Sequence, residues 1–473
     1  MRILTHTRNI ALAPAVQCLA LSGALWLLLF VYCNFALWRD PHGAYFHSEG
    51  VYDLGYSAVR QQEAREFIRQ YATDYDAKTN SPTSPPERAG PHPALCAAFV
   101  TVRRDHPDAA LYFADSVGSM LAGLSQRERA AINLRVLFAN GVAPEVHPDY
   151  KAPWVEAVFD HASGYEGYTD EDMDELRFRE GTGDYQTKGV HDYTYMLEEC
   201  YNKTDAPFIA LFEDDIVFAG DWLARTLLGL EYLATAKEEK DREGWLYLRL
   251  FYSETYMKWD AEKDWWYGHL FVTLTLVSLT IGTVLVLLRM VLRGRTLLNL
   301  RLDTPTIAVL SLLVAPGFTA LAFMAGKYNL PMYAFRGGPA AVGGMLAADE
   351  FDRALQRNAG VVAMEHQACC SQALVFDRAR VPELIDYLRG SGRGQTDLMI
   401  EEYCAAKPLR RFALGEQAVQ HLGVRSSRGG AGVAGNSVWA FYFEELRRDE
   451  VERRRDEALA RIDWGLFERL RGG

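Results

Sequence analysis

Three consecutive carboxylates, Glu213, Asp214 and Asp215, follow five apolar residues, Phe208 to Phe212, in the run PFIALFEDDIVFAGDW. A strand of this kind buries its body and exposes its end, and in open α/β sheets ligands bind beyond the carboxyl ends of the strands. Two or more carboxylates there hold a hard divalent cation, which offsets the charge of a diphosphate leaving a nucleotide-sugar. Without a cation, that charge would develop beside carboxylates in a low-dielectric cleft, which is strongly unfavourable. The plainer reading of the triad is an acidic turn capping the next helix. The buried strand ahead of it favours the ligand site.

The elements that must position this triad are legible as short apolar runs. LCAAFVTV, after a proline and before charges, reads as a buried parallel strand, and LRVLFANG reads as a second, with Ala-, Leu- and Arg-rich helical material between them. This alternation predicts an α/β fold with a largely parallel sheet. EGYTDEDMDELRFREGTGDYQTKG is read as a solvated acidic excursion, HDYTYMLEECYNKT as a helix followed by a turn, and APFIALFEDDIVF as the next strand. The polar stretch before Leu95, ending in KTNSPTSPPERAGPHP, is expected to be a loosely packed stem because of its Pro and Ser content.

Three apolar runs are long enough, at roughly 1.5 Å per residue, to cross a bilayer core of about 30 Å. The first runs from about Ala13 to Leu37, after Arg2 and Arg8 and without a cleavage site of small residues, and reads as an uncleaved signal anchor with a cytosolic amino terminus. The others run from about Leu270 to Leu292 and from about Thr306 to Ala325, with Arg293, Arg295 and Arg301 in their connection. Positive charge marks the cytosolic side, so residues 39–266 and 327–473 are expected in the lumen. Trp265, Trp266 and Tyr267 suit an interfacial anchor, and Arg289 is close enough to the basic loop to snorkel. The competing reading of either central run is a buried core helix, since Pro316 and Gly317 interrupt the second. Asn202-Lys203-Thr204 is a glycosylation sequon, expected on a lumenal loop before the acidic strand.

The totals agree with an enzyme of this kind. The chain has 473 residues, and 62 Asp and Glu against 50 Lys and Arg exclude the electrostatic footprint of a nucleic-acid binder. Of seven cysteines, Cys18 and Cys33 lie in the first apolar run; Cys96, Cys200, Cys369, Cys370 and Cys404 are enough for one or two bridges whose pairing the spacing leaves open. No Cys/His spacing reads as a zinc site.

The stretch from KGVHDYTYMLEEC through FIALFEDDIVF resembles the donor-binding region of GT-A glycosyltransferases, in particular the family that adds an N-acetylgalactosamine side branch to the glycan of protein-linked GPI anchors. It is more distantly similar to the N-acetylglucosaminyltransferase IV family. The paired apolar runs match a transmembrane hairpin inserted in that family's catalytic domain, and the similarity extends to CCSQALVFD and VQHLGVRSS. The resemblance implies a domain order of cytosolic tail and anchor (1–38), stem (39–94), first GT-A part (95–266), hairpin (267–326) and second, acceptor-side GT-A part (327–473).

Carried over residue by residue, the resemblance makes Glu213, Asp214 and Asp215 a DxD-like motif for metal and diphosphate, with His421 as a further metal or phosphate ligand beside the plainer reading of a structural histidine. It places Val102 and Arg103 near the nucleotide base or ribose. Asp192 and Tyr193 would line the same pocket, unless they are a helix-surface Asp beside a packed Tyr. The family's inverting reaction requires a general base. Asp397 in GQTDLMIEEYC is the first choice and Glu401 the second, although an Asp at a helix start followed by Glu401 is also an ordinary cap and first-turn charge. The implied activity is metal-dependent transfer, with Mn²⁺ or another divalent cation, from a UDP-sugar to the mannose core of GPI-anchored proteins at the Golgi membrane. The rivals are an N-glycan or glycolipid transferase and a non-catalytic lumenal binding subunit; a hydrolase of lipid anchors lacks the His-rich metal site it would need.

Overall fold

The computed structural model describes residues 13–47, 49–73, 75–76, 81–82, 88–104, 109–141, 143–235, 244–254, 259–291, 302–330, 359–364, 370–391, 394–423 and 438–472. Arg293, Arg295, Arg301 and Cys369 lie outside them, as does the end of VQHLGVRSS. The chain divides into two compact units, Met1–Val51 with Met257–Phe351, and Tyr52–Tyr256 with Asp352–Gly473.

Among the described residues, the first unit holds three helices long and apolar enough to cross a membrane: Pro14–Ala36, Leu270–Val291 and Thr304–Ala325. They are not core helices. Leu21, Phe35, Phe271 and Val291 are each more than 70% exposed, an outward apolar surface that suits lipid rather than water. Pro316 does not break the third helix, because the turn Leu310–Val314 just before it is π-helical and absorbs the missing N–H before the α-helix resumes at Ala315. Trp26 Nε1–H donates to the Gly317 carbonyl at 2.9 Å, tying the first helix to the third at that irregularity. Trp265 and Trp266 are half-exposed, just before the second helix.

The second unit is a three-layer α/β structure. Its helices include α1 (Tyr56–Thr73), α2 (Tyr112–Leu121), α3 (Asp170–Thr182), α4 (Tyr185–Lys203), α5 (Trp222–Thr235), α6 (Val381–Ser391), α7 (Thr396–Ala406) and α8 (Arg448–Leu459). Besides a short ribbon of Tyr75–Asp76 with Ser81–Pro82, its strands among the described residues are β1 (Leu95–Thr101), β2 (Ile132–Phe138), β3 (His161–Ser163), β4 (Phe208–Glu213), β5 (Ile216–Phe218), β6 (Trp245–Arg249), β7 (Val361–Ala363), β8 (Ala373–Asp377), β9 (Arg410–Leu414) and β10 (Val419–His421). Eight form one sheet in the order β3-β2-β1-β4-β8-β6-β9-β7, in which only β8 and β7 run against the rest. The expected mostly parallel α/β sheet is present.

Alternation along the strands builds two cores. Leu95, Ala97 and Phe99 of β1 and Phe208, Ala210 and Phe212 of β4 join one hydrophobic cluster; Cys96, Ala98, Ile209 and Leu211 join the other. A disulfide between Cys96 and Cys200 fastens β1 to α4 across the second core, while Cys404 is a buried free thiol. The unit is assembled from both sides of the hairpin. β8, which follows it in sequence, lies between β4 and β6, which precede it.

Three boundaries differ from expectation. Residues 39–94 are not simply a stem, because α1 buries Tyr56, Arg60 and Ala64 at helical spacing and belongs to the α/β unit. Most of the acidic excursion is a helix, α3, opened by a capping box at Thr169 and mostly exposed, with Leu176 buried. FEDDIVF is two strands rather than one, broken at Asp214 and Asp215.

Candidate metal and anion site

The break between β4 and β5 creates the site. At Glu213 the chain leaves the main sheet, and β5 pairs instead with β10 in an antiparallel two-stranded ribbon, with Ile216 opposite His421. Ser116 on α2 fixes the kink: its hydroxyl donates to the Asp214 carbonyl at 2.9 Å and accepts from Ile216 N–H at 3.0 Å. Leu422 N–H donates to the Asp215 carbonyl at 2.7 Å. This pairing brings His421, 208 positions after Glu213 in the chain, to the carboxyl end of β4.

Ligand atoms of Glu213, Asp215 and His421 lie within 4.8 Å of one another. His421 Nδ1 is 3.2 Å from the Val438 carbonyl, which can only accept, so Nδ1 carries the proton and Nε2 faces Asp215 Oδ2 at 3.5 Å. Glu213 accepts from the Ser371 hydroxyl at 3.0 Å. Asp215 Oδ1 is buried and has no hydrogen-bond partner among the described residues. A side chain at Gly423 would put its Cβ 2.4 Å from Asp215 Oδ2 and 2.6 Å from His421 Nε2, so glycine keeps the space between them open. One imidazole and two carboxylates around an orphaned oxygen fit a divalent transition ion such as Mn²⁺.

The electrostatics are those of a charge-poor pocket holding too many carboxylates. Burial and the neighbouring Asp215 push Glu213 up to about 7. Burial opposes ionisation of Asp215 too, but His421 and Arg104 outweigh it and hold that carboxyl well below its usual range. His421 is raised: burial lowers it, and Asp215 overcomes the burial.

Asp214 turns away from this trio. It accepts from the Thr101 hydroxyl at 2.7 Å at the end of β1 and pairs with Arg104, whose Nη2 also reaches Asp215 at 3.1 Å. His147 Nε2 stands 3.2 Å from the Thr101 hydroxyl behind it. The chain runs from β1 outward through β2 to β3 and then crosses to β4 on the other side of β1, and the crevice at such a switch point is where open α/β sheets bind ligands. Val102 is partly buried against the second core, and Arg103 is exposed with its N–H 3.4 Å from Asn140 Oδ1. Arg104, which the sequence reading passed over for Arg103, is the arginine that reaches the carboxylates.

Asp192 is neither a surface group nor an open pocket wall. It is buried, with its oxygens engaged by Lys188 at 2.8 Å and by the Tyr165 hydroxyl at 2.6 Å. Tyr193 packs its ring on Phe376, and its hydroxyl has no hydrogen-bond partner among the described residues. Burial above all, then the charge of Glu213, holds that phenol well above its ordinary value.

The two base candidates separate. Asp397 stands in the first turn of α7 but is not the cap, which is Gln395; its Oδ2 accepts the Cys370 N–H at 3.2 Å, one residue from the serine that touches Glu213. Glu401 is a correction. It is 1% exposed, paired with Arg249 at 2.9 Å and Arg411 at 3.2 Å and bonded by the Tyr247 hydroxyl, so it ties α7 to the sheet and has no path to an acceptor. Asn202 is exposed in the last turn of α4 rather than on a loop. No protein-family model matches the chain, and no curated protein matches it.

Proposed function

We propose that the α/β unit is a metal-dependent glycosyltransferase of GT-A type that moves a sugar, N-acetylgalactosamine by resemblance, from a UDP donor to the mannose core of GPI anchors on the lumenal side of the Golgi membrane. The observation that carries this reading is the convergence of Glu213, Asp215 and His421 from two distant chain segments at the switch point of the sheet. A divalent cation held there supplies positive charge against the diphosphate leaving group. Asp397 takes the proton of the acceptor hydroxyl as its oxygen bonds the anomeric carbon, and the bond from that carbon to the diphosphate oxygen breaks with the electron pair going to the diphosphate. A single displacement of this kind inverts the anomeric centre.

The Cys96–Cys200 bridge fits an oxidising compartment, and the exposed sequon at Asn202 fits the lumen. Three apolar helices suit an acceptor that is itself held at a bilayer. The test is to incubate the full chain in detergent with a panel of UDP-sugars and GPI-linked acceptors, with Mn²⁺ or with chelator. Metal-dependent UDP release and transfer are expected, and Asp397→Asn should lower the rate about a hundredfold to ten-thousandfold. The absence of turnover with every donor would refute the reading.

A further inference from the structure

Arg104 stands at the acidic triad with buried donors to spare. Its side chain is 10% exposed, lies over the Tyr112 ring at 5.5 Å, and uses one nitrogen, Nη2, for both Asp214 and Asp215. Its Nε and Nη1 are buried and have no hydrogen-bond partner among the described residues. Buried donors without acceptors are rare and costly in folded proteins, and a guanidinium is the group best shaped to bind oxyanions through several donors at once. Arg129, which is more buried still, spends its donors on the Ile132 and Val158 carbonyls and on Asp160.

The charge balance around Arg104 points the same way. Glu213, Asp214 and Asp215 bring three negative charges when ionised, and a divalent cation offsets two of them. The guanidinium offsets the third, so an incoming anion meets a neutral site instead of a negative one.

We infer that Arg104 is a ligand-binding residue that donates from Nε and Nη1 to the oxygens of a diphosphate while its Nη2 stays on Asp214. The inference rests on the transferase reading for the identity of the physiological ligand, but not for its chemistry. A cation held by Glu213, Asp215 and His421 would share Asp215 with the guanidinium, and together they would suit an anion with oxygens on two linked centres better than one with a single phosphate.

The experiment uses the full chain in detergent with inorganic pyrophosphate as the probe, titrated calorimetrically at saturating Mn²⁺. Arg104→Gln should weaken pyrophosphate binding about tenfold to a hundredfold, the worth of charge-assisted hydrogen bonds, while Mn²⁺ affinity in the same variant stays equal or rises because a competing cation has gone. Arg104→Lys should fall between the two, since it restores a point charge without the fork. If the neutral variant does not fold, the lysine variant decides: pyrophosphate affinity equal to that of the unaltered chain overturns the inference. So does unaltered binding by Arg104→Gln, or failure of the unaltered chain to bind pyrophosphate at saturating Mn²⁺. Pyrophosphate binding that depends on Arg104 without turnover of any UDP-sugar would leave this inference standing and remove the transferase reading alone.

Discussion

Two clusters of buried carboxylates in the α/β unit resemble each other in composition and differ in how completely their charge is matched. Glu401 has Arg249 and the Tyr247 hydroxyl bonded to one oxygen, and Arg411 stands 3.2 Å from the other as an ion pair without a hydrogen bond. Asp215 shares one oxygen between Arg104 and His421 and leaves the other with no hydrogen-bond partner among the described residues, and beside it Glu213 is pushed up to about 7 by burial and by that same Asp215. Burial alone does not separate a binding site from a structural ion cluster. What separates them is charge: Arg249 and Arg411 serve the single carboxylate of Glu401, whereas Arg104 and His421 are left to serve Glu213, Asp214 and Asp215.

The largest effect that would test this contrast is on stability. Arg249→Met leaves Glu401 buried with a single cation, so the unfolding free energy should fall by about 3–5 kcal/mol, read by denaturant titration. A loss below about 1 kcal/mol would show that the closed cluster contributes no more than a surface pair.

A smaller effect is expected from pH at the open cluster. In the metal-free protein the folded-state value for Glu213 lies above its ordinary 4.5, so the stability it contributes is fully present below about 4.5 and is lost as pH rises through about 7. Metal binding needs the ionised form. Mn²⁺ affinity should therefore fall about tenfold per pH unit below 7, or about 1.4 kcal/mol, and the raised His421, which must also lose its proton to bind, steepens the fall. Calorimetry at pH 6, 7 and 8 checks this, and Glu213→Gln should flatten the profile. An affinity independent of pH would contradict the proton displacement.

Much of this was legible in the sequence, where local pattern and tertiary outcome agree. β1, β2 and β4 are continuous apolar runs, because a parallel strand covered on both faces needs them. The acidic triad was visible because it terminates such a run. α1 was missed although Tyr56, Arg60 and Ala64 recur at helical spacing; the Pro- and Ser-rich segment after it dominated the composition. Asp397 and Glu401 are four residues apart and share a helix face, yet one turn of about 5.4 Å carries Glu401 from the strand ends into the interior between α7 and the sheet. The choice of Arg104 over Arg103 depends on how the backbone leaves β1, and the meeting of His421 with Asp215 depends on the β5–β10 register. Neither leaves a periodic trace in one sequence.

The central claim is that Glu213, Asp215 and His421 hold one divalent cation, and direct Mn²⁺ binding to the full chain in detergent, followed by the loss of the free-ion paramagnetic resonance signal, tests it most simply. The account predicts one site in the unaltered chain, and a loss in Asp215→Asn and His421→Ala of at least the tenfold to hundredfold that an outer-shell partner is worth. Asp397→Asn, which alters the base and not a ligand, should bind Mn²⁺ as the unaltered chain does. Equal Mn²⁺ affinity in the unaltered chain and in Asp215→Asn would contradict the account.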